Sequence, residues 1–398
     1  MKPLSLSAWT TAFFASAVLF SHTVALRLLL LLLGAGLAIA TIVNDRKSIR
    51  ILPPVWLAFA LWAAWAWLSL TWSLEPERSL KEFHNEIGYA ALALWVCYVG
   101  AQAPNATRII PPVLAAAAAL VCAIALQHSL QGLDRFGEGW HGGPGNLSSA
   151  LLTLMPCVLM AAWYGKRAGW ARIPLLSLGL AALLLVAAYT TLNRTIWFGF
   201  AGQLLVIGAL LALRERTSIG PRARLIGAAF AIFVVATGAL MTSRIQAERE
   251  AADPAAALAK DSRLALWPEV LEHIKARPFT GFGFGRGLLR QSLSEELKQP
   301  LLWHAHNLFL DTVLQVGIPG LLLLLLLLGA TVREGWRMAQ AADDLGVACG
   351  LAVLGVVAGM VIRNMTDTLW VRQNALLYWG VLGVLFAWGR RPAVRADA

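Results

Sequence analysis

The chain has 398 residues, of which 58% are hydrophobic and only 14% charged, with a formal net charge of +11. That balance lies outside the range of soluble domains and excludes a soluble enzyme or binding module. A pI near 10.0 would point to nucleic acid in a soluble protein; here the placement of the cations along an apolar chain reads as orientation across a membrane, and no nucleic-acid partner is expected.

Apolar runs of roughly 20 residues, the length that crosses the hydrocarbon layer, recur from end to end. Spans are expected at about 8–24, 26–43, 51–72, 87–104, 109–127, 147–165, 173–191, 195–213, 224–242, 306–330, 344–363 and 374–389. The fold class is therefore an all-α integral membrane protein with about 12 transmembrane helices, forming a single polytopic domain over 1–398. The first run, with Lys2 and AFFASAVLF, has the look of a signal peptide. A second run follows almost at once without a clear cleavage site, so it reads as a retained helix.

With the N-terminus placed in the cytoplasm, one side receives Lys2, NDRKSIR, Arg108, GKRAGWAR, RERTSIGPRAR, VREGWR and GRRPAVR. These segments carry more than half of the 33 Lys and Arg. The short loops of the other side carry few, so both termini are expected inside. Cys97, Cys122, Cys157 and Cys349 all fall in spans without paired spacing and read as ordinary buried thiols.

Two outer segments are longer than a connection needs. One runs from His128 to Ser149, HSLQGLDRFGEGWHGGPGNLSS; the other, at 243–305, is a large loop between spans nine and ten. In it Asp261 is a candidate N-cap, and Leu264, Trp267, Val270, Leu271 and Ile274 recur at helical spacing. Pro278 ends that helix, and a second short amphipathic one follows in LLRQSLSEELKQP. The intervening PFTGFGFGRG has neither a preceding buried strand nor a βαβ setting, so it fails the dinucleotide fingerprint. It reads as flexible glycine at the membrane interface.

Sorted by depth, the spans hold one acidic residue well inside, Asp311, which disfavours an ion-coupled transporter. The polar interest lies at the outer boundary: Arg194 in LNRTIW, Arg263 in DSRLALW, and His306 and Asn307 in HAHNLFLDTVLQVGIPG. A helix-end arginine also snorkels, a loop arginine is also merely solvated, and an interfacial histidine also occurs without function. Asp311 lies one turn after Asn307 on the same helix face, where a structural hydrogen bond would account for it.

His306 and Asn307, nine residues, Gly317, two residues and Gly320 resemble the HNx(9)GxxG pattern of bacterial O-antigen ligases. SRLALWPEVLEHIKARPFTGFGFG is similar to the arginine-, tryptophan- and glycine-bearing stretch of that family's large periplasmic loop. NRTIWFGF resembles the segment carrying its essential arginine. The wider superfamily also holds O-antigen polymerases and protein O-oligosaccharyltransferases. The chain lacks the extra C-terminal region of many protein-modifying members, which favours the ligase.

The resemblance implies glycan transfer at the periplasmic face of the bacterial inner membrane. Its donor would be O-antigen on undecaprenyl pyrophosphate and its acceptor a sugar of lipid A-core oligosaccharide, with no cofactor and no metal. Charge building on the pyrophosphate leaving group then needs fixed cations, for which Arg194 and Arg263 offer forked donors. His306 is the candidate general base for the acceptor hydroxyl, or else a pyrophosphate ligand. Attack opposite the pyrophosphate would invert the anomeric centre. Asn307 either fixes the histidine or holds a substrate oxygen. Gly317 and Gly320 are expected to permit close helix approach, with Pro319 loosening the span. His304, outside the pattern, reads as an interfacial neighbour. A transporter for a lipid-linked glycan is the alternative of another class.

Overall fold

The computed structural model describes residues 3–44, 50, 53–132, 139–191, 193–214, 262–296, 304–368 and 372–391. Among these the regular structure is entirely helical. The first half comprises α1 (Pro3–Ala17), α2 (Val24–Asn44), α3 (Val55–Leu68), α4 (Pro76–Phe83), α5 (Tyr89–Gly100), α6 (Ala106–Leu130) and α7 (Gly143–Arg167). The second half adds α8 (Arg172–Thr190), α9 (Arg194–Arg214), α10 (Ser262–Ala276), α11 (Arg290–Glu296), α12 (Leu308–Ala339), α13 (Asp344–Asn364) and α14 (Arg372–Gly389).

Eight of these helices are long and apolar enough to cross a membrane: α2, α3 with its continuation to Trp72, α6, α7, α8, α9, α12 and α13. The protein is a multi-pass membrane protein. Three further expected spans correspond to α1, α5 and α14. The expected span at 224–242 lies outside the described residues. Two of the three are short, α1 with 15 residues and α5 with 12, and protein encloses α14 and one side of α1. Asn374 to Ala387 of α14 are buried throughout, and Ala8, Ala12 and Phe14 of α1 are fully enclosed. A helix shielded this way needs no uninterrupted apolar run to sit at membrane depth.

Burial sorts the helices into a centre and a rim. The most apolar stretch of α13 is 78% buried, against 22% for that of α8, which turns Leu175, Leu176 and Leu178 outward. Small residues set the central packing distance: Gly350 of α13 lies against the backbone of Gly335 and Met338 in α12, and Gly383 of α14 against Leu94 and Tyr98 of α5. Without a water-driven hydrophobic force between helices, such close approach supplies much of the cohesion.

Polar loops gather at two ends. At one, Arg167 pairs with Asp344 at 3.3 Å, Arg390 with Glu334 at 3.3 Å, and Arg214 donates to the Ala339 and Ala341 carbonyls. At the other lie α4, the glycine loop after α10, the start of α12 and the α13–α14 link, joined by the contacts described below. The segments that the charge bias assigns to opposite sides thus separate in space.

In the large loop, α10 packs Leu266, Val270, Trp267 and Ile274 against Leu289 and Leu293, with Ala305 and Leu314 beneath. The expected stripe is correct at Trp267, Val270 and Ile274. Leu271 instead faces outward, 44% exposed, and Leu266 takes its place. The candidate cap Asp261 lies outside the described residues.

A candidate active site built on a broken helix

Helix α12 is not continuous. Val316 and Gly317 leave helical geometry, Gly317 with φ 71° and ψ −178°, so the carbonyls of Leu314, Gln315 and Val316 lose their helical partners. The PFTGFGFG loop supplies new ones. Phe282 N–H donates to the Leu314 carbonyl at 3.0 Å and Gly283 N–H to that of Gln315 at 2.8 Å, while the Trp65 indole reaches the Val316 carbonyl at 2.8 Å. Ile318 N–H closes the joint on the Pro278 carbonyl at 2.8 Å. Any Cβ at Gly317 would collide with the Phe279 carbonyl, and one at Gly281 with that of Gln315. The expected roles change accordingly. The loop glycines are an ordered lock against a helix break, and Gly317 is required by its backbone angle and not by helix packing. Pro319 sits at the restart of the helix, where a missing N–H costs nothing.

The break lies about three turns below His306. The segment 304–306 is held in a single shape by bonds from three directions. Ala305 N–H donates to Asp311 Oδ1 at 2.9 Å, the Ala305 carbonyl accepts from the Trp267 indole at 3.0 Å, and His306 N–H donates to His304 Nδ1 at 3.0 Å. Together they force His306 to φ 46°; among the described non-glycine residues only Arg372, at 47°, shares that left-handed geometry. Strain of about 1–3 kcal/mol persists only where the surroundings over-determine it. Asp311 therefore has a clear job: it anchors the histidine loop from one turn inside α12.

Asn307 caps α12, its Oδ1 accepting from Phe309 N–H at 2.9 Å and Leu310 N–H at 3.1 Å, a contribution of about 1 kcal/mol. Its Nδ2 donates to the Met365 carbonyl at 3.0 Å. Asn307 thus ties the start of α12 to the α13–α14 link. That link brings Asp367, whose Oδ1 lies 3.4 Å from His306 Nδ1. Asp367 Oδ1 also accepts from Thr368 N–H at 2.8 Å, and Arg363 reaches Oδ2 at 3.4 Å. Burial raises the pKa of this carboxyl, but His306, Arg363 and the Thr368 amide outweigh it and hold Asp367 well below the usual carboxylate range. It is a fixed anion that orients the ring through Nδ1.

His304 is no interfacial neighbour. It is buried, with its ring 3.8 Å from that of His306. Burial, then the positive neighbours His306 and Arg286, push its pKa down. Because its Nδ1 accepts the His306 N–H, the neutral ring carries its proton on Nε2. One ligand atom from each of His304, His306 and Asp367 lies within 4.8 Å of the others, the set among the described residues able to hold a metal. Around them Arg286 donates to the Thr368 carbonyl at 2.6 Å, and Arg372 lies 3.8 Å from Glu82 of α4.

Of the expected site residues, Arg194 opens α9 and Arg263 is the second residue of α10; their side chains lie outside what the structure describes. The sequence reading missed Asp367, Arg363 and Arg286. A signal was present: RNMTDTLWVR falls in the outer link between spans eleven and twelve by the same topology that singled out His306. A histidine at that boundary invites a search for its carboxylate.

Residues 179–325 match the O-antigen ligase family. The match runs from α8 into α12 and contains Arg194, Arg263 and His306, so the resemblance read from the motifs is borne out where it was strongest. No curated protein matches the chain as a relative. Over this segment the chain is similar to the ligase and polymerase superfamily.

Within that frame Asp367 is a positioning residue. Asp367→Asn is expected to lower glycan transfer at least about a hundredfold by releasing the ring and its tautomer. The pH profile should change shape while insertion and melting do not. An unaltered profile with an unaltered rate would remove Asp367 from the site.

Proposed function

We propose that this protein is an O-antigen ligase, moving O-antigen from undecaprenyl pyrophosphate to a sugar of lipid A-core oligosaccharide and so completing lipopolysaccharide. The observation that carries the reading is His306, set at the start of α12 inside the family-matched segment and oriented by Asp367 from the α13–α14 link. His306 Nε2 takes the proton of the acceptor hydroxyl as its oxygen attacks the anomeric carbon. The bond to pyrophosphate breaks on the opposite face, with inversion. Arg194 and Arg263 stabilise the charge that develops on the leaving phosphate, so the step needs no metal.

We place the site at the periplasmic face of the bacterial inner membrane, with both termini cytoplasmic, about twelve spans in one polytopic domain, and 243–305 as a periplasmic loop. The separation of polar loops into two ends supports this orientation, because the cation-rich segments share one end.

A deletion strain tests the reading by gel. The expected result is lipopolysaccharide without a ladder, while lipid-linked polymer accumulates. Single-repeat caps would instead make the protein an O-antigen polymerase of the same superfamily. Loss of lipid-linked glycan on the outer leaflet, with transfer intact in detergent extracts, would make it a transporter. Complementation with Arg194→Lys or Arg263→Lys should restore little, since a lysine cannot reproduce a forked contact with phosphate.

A further inference from the structure

The histidine pair is more than the proposed chemistry requires. A general base with its orienting carboxylate accounts for His306 and Asp367, but not for a second, buried imidazole stacked on the first. Two rings 3.8 Å apart and tilted by 40° cannot both be charged without repulsion. Their arrangement instead follows from the left-handed φ of His306, which turns two side chains separated by a single residue to the same side.

We infer that His304, His306 and Asp367 form an inhibitory site for a borderline divalent transition metal, Zn2+ in the first instance. Four features of the site agree. His306 Nδ1 and Asp367 Oδ1 are 3.4 Å apart, and two ligands at about 2.1 Å on one tetrahedral ion are separated by roughly that edge length. One ligand atom of His304 lies within 4.8 Å of both. Ligation through His304 Nε2 moves that ring's proton to Nδ1, which exchanges the His306 N–H for Asp311 Oδ2, 3.8 Å away, the relation in which an outer carboxylate steadies a metal-bound imidazole. Two nitrogens and one oxygen also suit Zn2+ and not Mg2+, which demands oxygen ligands.

The surroundings limit the affinity. Arg363 lies 3.4 Å from the second Asp367 oxygen, and Arg286 is bonded to the neighbouring Thr368 carbonyl. These cations weaken a dication's binding, so the site is one that fills when free zinc rises and empties when it falls. A metal on His306 Nδ1 and Asp367 Oδ1 forces the neutral ring's proton onto Nε2, the atom the base needs empty. The inhibitory half of this inference rests on the ligase reading; the binding half does not.

The test uses the full-length protein in detergent, stripped with chelator. Co2+ is titrated first, followed by its visible tetrahedral absorption, then displaced by Zn2+. One equivalent should bind without a thiolate band, because Cys97, Cys122 and Cys349 are buried elsewhere. His304→Gln and Asp367→Asn should each weaken binding at least tenfold. No tetrahedral band on the wild-type protein overturns the inference, whatever the variants do. Equal affinity in both variants does so too, and would redirect attention to the His128–His141 pair. In the activity arm, Zn2+ above its dissociation constant should suppress transfer and chelator restore it. Binding without suppression removes the inhibitory role, whereas a protein with no transferase activity would still give the binding result.

Discussion

His306→Ala should lower glycan transfer by about 10²–10⁴-fold, the range that a positioned general base supplies. The ring is aimed by Asp367 at 3.4 Å and by a backbone turned to φ 46°, so removing it takes away the proton acceptor without emptying the core. His306→Asn separates chemistry from folding more cleanly, because asparagine tolerates the left-handed backbone. Both variants should insert and melt like the wild-type protein while failing to restore the lipopolysaccharide ladder. Transfer by purified protein, with lipid-linked donor and lipid A-core, gives the magnitude. Wild-type rates in the asparagine variant would make the base assignment untenable.

Gly317→Ala is the second large effect, and it acts on the scaffold. At φ 71° and ψ −178° the position lies where essentially only glycine goes. An alanine there adds at least about 2 kcal/mol of strain, and its Cβ meets the Phe279 carbonyl. The joint with the glycine loop must open or shift, and the carbonyls of Leu314, Gln315 and Val316 then lose the partners now donated by Phe282, Gly283 and Trp65. The expected readout is a lowered unfolding midpoint in detergent together with loss of transfer. Gly329→Ala, in the lower half of α12 where nothing lies within 4 Å of an added Cβ, should hold or raise the midpoint. A Gly317→Ala protein that melts and transfers like its parent would show that the break is dispensable.

These two effects differ in how far they could be read from the chain. His306 was legible because a polar residue opening an apolar span is costly unless the boundary uses it. The role of Gly317 was not. The same glycine spacing serves close helix packing, and only the φ angle and the nearby Phe279 carbonyl distinguish the two uses. Asp311 was placed correctly as structural, but its partner is the Ala305 amide and not Asn307's side chain.

From sequence alone came the membrane class, eight of the expected spans and the family resemblance. Hydropathy and cation placement are properties of local composition and survive without contacts. The tertiary structure decided the rest: Asp367 behind His306, His304 stacked on it, α14 as a buried central helix, and the glycine loop as a lock on a broken one. Each joins segments tens of residues apart, through angles and distances near 3 Å to which a linear pattern of residue types is blind.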